Sequence, residues 1–199
     1  MKENVILIGF STTGKSKVGR MLAQRLGWDF VDTDDVIVEM AGKPIPDILA
    51  QDGKDRFREL EREALVRACA RKRTVIATGG GAILFEKNRE LMQERGWVVC
   101  LEAKPATIYR RLKEAEARGE PDVVRPLLAG PDPLERITWL KEIRQPYYAI
   151  ADWTVHTDVL THAQVVEEVL HGLGYFGIKP GQPSEPREES ASSVESADQ

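Results

Sequence analysis

The apolar positions open as an unbroken run. "NVILIG", Asn4 to Gly9, has the length and composition of a strand buried on both faces. From residue 15 the spacing changes. Val18, Met21, Leu22 and Leu26 recur at helical intervals, and Gly27 follows as a C-terminal stop. "WDFVDTD" predicts a short second strand, with helical segments after it near 33–42, 44–51 and 54–72. "TVIATGGG" predicts a third strand running into Gly79, Gly80 and Gly81. "WVVCLEA" predicts a fourth, and Pro105 opens the helix behind it, where a missing N–H costs nothing. "DWTVHT" predicts a fifth, and Val165, Val166, Val169, Leu170 and Leu173 stripe a final helix. Strands alternating with helices predict an α/β fold, a three-layer arrangement with a parallel sheet covered on both faces. A single domain is expected over residues 1–176. Beyond about Gly177 the periodicity stops. "KPGQPSEPREESASSVESADQ" is rich in Pro, Ser and Glu, and residues 177–199 are expected as a disordered tail.

Composition narrows the partners. A chain of 199 residues, 42% hydrophobic and 30% charged, can bury a core of its own. Its net charge of -4 gives no reason to expect nucleic acid as a partner. No apolar run reaches membrane-spanning length, and the first residues lack a basic start and a cleavage site. No membrane partner and a cytoplasmic location are therefore expected, and a monomer is the simplest assembly. Cys69 and Cys100 match no metal or redox spacing and read as reduced, buried thiols. His156, His162 and His171 show no ligand spacing and read as surface or strand-end residues. The four tryptophans are scattered and read as packing residues.

The chemistry begins after the first strand. "GFSTTGKS", Gly9 to Ser16, fits G-x-x-x-x-G-K-[ST] at every fixed position, between a predicted strand and a predicted helix. At ordinary glycine frequencies a chance match in a chain this long is an event of about one in a hundred. The physical reading is a polyphosphate cradle. Successive backbone N–H groups and the helix N-terminus converge on an anion, and the glycines let the backbone approach it. The nucleotide-binding stretch is Gly9, Phe10, Ser11, Thr12, Thr13, Gly14, Lys15, Ser16 and Lys17. In it Lys15 is expected to reach the β- and γ-phosphates, while the Ser16 hydroxyl ligates Mg²⁺.

No N-K-x-D motif accompanies this loop, which argues against a GTPase, and a motor or large ATPase needs more chain. A kinase for a small metabolite remains. "VDTDD" fits one, because Asp32 and Asp34 flank a single residue at the end of the second strand. There one carboxylate can hold hydrated Mg²⁺ while the other orients an acceptor hydroxyl. A helix N-cap by Asp32 or Thr33 is the plainer reading of the same residues.

Taken in order, "GFSTTGKS", "DTDD", "DGKDRFRELE", "TGGGA", "RPLLAG" and "RQPYY" resemble the shikimate kinase family over about residues 4–172. The resemblance implies a P-loop kinase fold similar to the nucleoside monophosphate kinases, with a five-stranded parallel sheet and a mobile lid near 113–131. It implies transfer of a phosphoryl group from MgATP to the 3-hydroxyl of shikimate, in the pathway to aromatic amino acids. Shikimate and ATP are then the partners and Mg²⁺ the cofactor. Lys15, Asp34 and Arg125 become the catalytic residues, and Ser16 and Asp32 the metal-binding ones.

The remaining roles follow the same resemblance. Phe57 and Arg58 in "DRFRELE" meet the substrate, with Arg58 on its carboxylate and Glu61 three residues on able to direct the guanidinium. A surface helix salt bridge is the bland alternative for that pair. Gly79, Gly80 and Gly81 are the substrate-contacting glycines, and Arg144 in "EIRQPYY" is the second carboxylate-binding arginine, with Pro146 ending or kinking its helix. Arg125 in "VVRPLLAG" is the lid arginine over the transferring phosphate. For adenine, Arg110 or Arg111 fits, together with the "TDVLT" loop. Two departures stand out: "KEAEARGEPDVV" before Arg125 is long and highly charged, and Thr13 occupies a position where the family commonly has glycine. A gluconate-type sugar-acid kinase of the same fold is the rival enzyme, disfavoured by "RPLL" and "FRxLE". A non-catalytic binding protein is the rival class, disfavoured because Lys15, Asp34, Arg58 and Arg125 are all present.

Overall fold

In a computed structural model, which describes residues 2–119 and 131–181, the first strand is the centre of the sheet. β1 (Asn4–Ile8) is buried at every position and pairs in parallel with β3 (Thr74–Ala77) on one side and β4 (Gly96–Glu102) on the other. β2 (Asp29–Asp32) extends the sheet beyond β3, and β5 (Trp153–His156) beyond β4. The order β2-β3-β1-β4-β5 is parallel throughout, so each connection must cross a face of the sheet. The period of two along β1 divides its side chains between two cores. Val5 and Leu7 join Val18, Leu22, Val166 and Val169 beneath α1 (Lys15–Leu26) and α8 (His162–Tyr175). Ile6 and Ile8 join Leu65, Ile76 and Met92 on the opposite face, under α4 (Gly53–Cys69) and α5 (Glu86–Arg95). This is the three-layer α/β architecture that the pattern predicts. Five strands are found where five were expected.

Because the chain leaves β1 first toward β2 and later toward β4, the topology reverses at the carboxyl end of β1, the place where open α/β sheets bind ligands. Residues 9–14 stand there. Gly14 precedes α1 in the left-handed region (φ 97), and Gly27 closes it in the same region (φ 66), donating its N–H to Ala23 and Gln24 carbonyls. On one side of this crevice α2 (Thr33–Ala41), α3 (Ile45–Gln51) and α4 share a small apolar cluster of Ile37, Ile48, Phe57, Leu60 and Ala64. On the other side α6 (Pro105–Ala117) and α7 (Pro133–Tyr148) pack through Ile108, Leu112 and Ile137. No helix among the described residues is long and apolar enough to cross a membrane.

Some features were not given by the pattern or go beyond it, and one expectation falls largely outside the described residues. α5 has no sequence signature, since "EKNRELMQER" buries only Asn88 and Met92 and shows no apolar stripe. α7 continues through Pro146 to Tyr148 rather than ending before it, because buried Arg144 and Tyr148 anchor that last turn in spite of the lost N–H. Of the stretch expected as a lid, residues 113–117 form the end of α6, while 120–130, including Arg125, lie outside the described residues. Finally, the packed chain runs past Gly177. Ile178 lies against the α1–α8 core and donates its N–H to Leu173. Trp28, Trp97 and Trp153 also pack on that core, whereas Trp139 on α7 is 58% exposed. Cys69 and Cys100 are free and buried, and burial pushes both thiols up to about 12.

Candidate active site

The loop from Gly9 to Gly14 borders a cleft of about 170 Å³, lined among others by Ser11, Lys15, Ser16, Asp32, Asp34, Thr78 and Gly80. Its backbone is strongly bent. Gly9 has φ 140, and a Cβ there would meet the Leu101 carbonyl oxygen at 2.3 Å, so only glycine fits. Thr12 is one of only two non-glycine residues with positive φ among those described. Thr13 turns its hydroxyl inward and donates to the Phe10 carbonyl at 2.9 Å. The departure from glycine at this position is thus absorbed by a bond inside the loop. Lys15 bends across the loop, its Nζ donating to the Gly9 and Phe10 carbonyls at 3.0 and 2.8 Å.

Asp32 and Asp34 of "VDTDD" come from different elements. Asp32 is the last residue of β2 and N-caps α2, accepting the Asp34 N–H at 3.0 Å; Asp34 already belongs to the helix. The capping reading and the chemical reading are therefore both realised in Asp32. Its other oxygen accepts the Ser16 hydroxyl at 2.5 Å, tying the loop helix to the edge of the sheet. Burial raises the Asp32 pKa, Ser16 opposes this, and the nearby Asp34 charge adds to the rise. Buried Thr33, between the two, accepts the Gly79 N–H at 3.0 Å and fixes the next strand's end against α2.

That strand end is where the site assembles. Each of the three glycines lies against a different charged group, and a Cβ at each measures the approach. At Gly79 it would stand 2.8 Å from Asp34 Oδ1 and 3.1 Å from Glu61 Oε1. At Gly80 it would stand 3.5 Å from the Ser11 nitrogen and 3.6 Å from Arg144 Nη1. At Gly81 it would fall 2.5 Å from Arg58 Nη1. Gly79 and Gly81 are needed for room rather than for backbone angle, whereas a Cβ at Gly80 would make only ordinary contacts.

Arg58 and Glu61 form an ion pair of 2.6 Å on α4, with the glutamate 2% exposed and the arginine 15%. Such burial rules out the surface salt bridge. Desolvation raises the Glu61 pKa and the Arg58 cation opposes it, so the pair holds the carboxylate against its tendency to neutralise. From α7, Arg144 donates to the Gly80 carbonyl at 3.1 Å and lies 4.9 Å over the Phe10 ring. Burial lowers the Arg144 pKa, and the Arg58 cation lowers it further, against the opposing effect of Tyr148. Two guanidiniums are thereby held in one partly dry crevice. Behind them Lys141 donates to Glu102, both side chains nearly buried, fastening α7 to the end of β4.

At the outer edge of the loop the two neighbouring arginines face different ways. Arg110 is exposed and paired with Glu114. Arg111 turns inward, donating to the Thr157 hydroxyl at 3.0 Å and to the Thr157 carbonyl, and reaching the Thr12 carbonyl at 3.5 Å. Asp158 fixes the start of α6 by accepting from the Lys104 N–H and the Thr107 hydroxyl. His162, read as a surface residue, is exposed but stands beside the loop, its ring 3.4 Å from where a Gly14 Cβ would be. Burial, Lys17 and Arg111 all lower its pKa. No sequence spacing signals this neighbour, because it arrives from the far end of the chain.

A phosphate-cradling loop at the reversal of a five-stranded parallel sheet, facing carboxylates on one wall and paired arginines on another, marks a P-loop phosphotransferase. Comparison with known proteins narrows the class. The profile of the family described as shikimate kinase matches residues 11–173. The shikimate kinase of Symbiobacterium thermophilum is 44% identical over 171 residues, 85% of this chain and 95% of that protein. That of Moorella thermoacetica is 42% identical over 173 residues, 87% of this chain and 95% of the relative. Among solved structures, the shikimate kinase of Acinetobacter baumannii in complex with shikimate superposes with a TM-score of 0.80 at 33% identity, covering 90% of this chain and 97% of that one. The chain belongs to the shikimate kinase family. It is an ATP-dependent kinase, as the resemblance implied, and neither a gluconate-type kinase nor a non-catalytic binding protein is the better description.

Proposed function

We propose that the cleft transfers the γ-phosphoryl group of ATP to the 3-hydroxyl of shikimate, with roles divided as follows. The backbone N–H groups of residues 9–17 and the N-terminus of α1 take the phosphates, and Lys15 exchanges its loop carbonyls for β- and γ-phosphate oxygens. Arg58 and Arg144 take the acceptor carboxylate from α4 and α7, with Phe57 beside Arg58. Asp34 and the Gly79–Gly81 backbone take the ring hydroxyls, and Asp34 orients the one that attacks. Arg111, rather than Arg110, borders the nucleoside. Arg125 is assigned to the transferring phosphate on resemblance alone. The observation that carries this reading is the convergence of Asp34, Arg58 and Arg144 on three consecutive glycines opposite the phosphate loop.

The donor set suits Mg²⁺. Among the described residues no three Asp, Glu, His or Cys side chains form a cage, but this ion is commonly held by one or two protein oxygens beside phosphates and water. The Ser16 hydroxyl and Asp32 carboxylate, 2.5 Å apart at the loop, are such a pair. When bound, the ion would neutralise phosphate charge. A monomer is the assembly proposed. The net charge of -4 offers nucleic acid no general attraction, and a cytoplasmic location is part of the proposal.

The test is steady-state kinetics with shikimate and with its decarboxylated analogue. A buried clamp left unpaired discriminates strongly, so kcat/KM should differ by about 10⁴ or more. Arg58→Lys should lose most shikimate turnover while its ATP affinity barely moves, because an ammonium cannot reproduce the planar fork. Equal use of the two compounds by the wild type would refute the carboxylate clamp.

A further inference from the structure

Arg58 has more company than its ion pair. Its guanidinium carbon lies 5.1 Å over the Phe57 ring and 5.7 Å over the Phe85 ring. The two rings differ in everything else. Phe57 is 8% exposed and belongs to the α2–α4 apolar cluster. Phe85 is 43% exposed, joins none of the four apolar clusters of the described residues, and sits at the N-cap of α5 in extended conformation. One short helical turn, Ala82–Leu84, separates it from Gly81. Its neighbour Leu84 packs on the core, so the chain here directs one large side chain inward and the next out over the arginine.

Only one corner of the Arg58 guanidinium is hydrogen-bonded among the described residues. Nη1 bonds Glu61 at 2.6 Å, and Nε is buried with no hydrogen-bond partner. Nη2 makes no hydrogen bond among the described residues and is the group left to receive an incoming carboxylate. A guanidinium fixed at one corner by a single carboxylate can still rotate out of plane. Aromatic faces restrain that rotation and attract the cation, the more so where water is excluded.

We infer that Phe85 is a positioning residue for the acceptor, its ring holding the Arg58 guanidinium in the plane that meets the substrate carboxylate. The inference rests on the assignment of Arg58 to that carboxylate. It concerns the ring's interaction with the cation, not apolar burial, and it separates substrate capture from the chemical step.

The experiment compares Phe85→Ala, Phe85→Leu and Phe85→Tyr with wild type, reading KM for shikimate, KM for ATP and kcat. Phe85→Ala should raise the shikimate KM about three- to fivefold, the size of a cation–π contact at a half-exposed ring. Its kcat and ATP KM should stay within about twofold of wild type, since uniform binding alone is lost. Phe85→Tyr should restore the low KM, and Phe85→Leu, apolar but without a ring, should behave as alanine does. An unchanged KM in Phe85→Ala, a wild-type KM in Phe85→Leu, or equal losses in kcat and in both KM values would each overturn the inference. Arg58→Lys, measured alone and with Phe85→Ala, separates the two claims. Normal shikimate kinetics in Arg58→Lys sinks the clamp itself. Loss there with Phe85→Ala neutral sinks only the role of Phe85, and a full additional loss in the double variant also counts against it.

Discussion

At the scale of single residues, this site works by giving each polar group two duties. Asp32 caps α2 with one oxygen and takes the Ser16 hydroxyl with the other. Glu61 neutralises Arg58 and stands against Gly79. Lys15 is the sharpest case, because its ammonium ties down two carbonyls of the loop that it is assigned to serve. Lys15→Met should therefore cost about 10²–10³ in kcat, the usual loss for one preorganised donor at a developing charge. Circular dichroism should be unchanged, since the side chain belongs to no apolar cluster. Wild-type turnover in a coupled ADP-release assay on a folded variant would show the nucleotide site to be misassigned. Some of this was legible in the chain: G-x-x-x-x-G-K-S fixes Lys15 and Ser16 by spacing alone. Which of Arg110 and Arg111 faces the loop was not. Adjacent residues on a helix point about 100° apart, and only packing against Thr12 and Thr157 tells which one faces the loop.

Elements show the same division. β1 announced itself as an apolar run because both of its faces are covered, and α1 and α8 showed one-sided stripes because each has one face on the sheet. α5 gave no such signal, since it buries little, yet it carries Phe85 at its start. The end of β3 is the element on which the others converge. Gly81 has φ -97, which alanine adopts freely, so an added methyl there meets only the movable tip of Arg58. Gly81→Ala should cost about 1–3 kcal/mol of stability, because the methyl pushes Arg58 against its buried Glu61 partner. The displaced guanidinium should raise the shikimate KM by about tenfold or more with ATP KM unchanged. A normal shikimate KM in this variant would mean that Arg58 does not face the acceptor.

The whole molecule is one sheet with two cores and a crevice at its topological reversal, and its C-terminal limit is set by contact. Ile178 is half-buried on the α1–α8 core, so truncation after Gly177 should lower stability by about 1 kcal/mol, half of a fully buried isoleucine. In a domain of this size that lowers Tm by about 2–4 °C. Truncation after Gly181 should leave both Tm and kcat/KM at wild-type values, and a drop in Tm there would show that residues 182–199 also bury apolar surface. By itself the sequence determined the five strands, the helices other than α5 that the pattern marks, the phosphate loop and the family, because periodicity and fixed spacing are local and survive in one dimension. It also supplied the candidates Arg58, Glu61 and Arg144, through the company each keeps within a few residues. What only the tertiary structure decided is their convergence. Arg144 reaches the Gly80 carbonyl across 64 positions, and Phe85 reaches Arg58 from a different helix. Such contacts depend on how helices seat on the two faces of the sheet, and that seating is a property of the summed packing, written in no single stretch of chain.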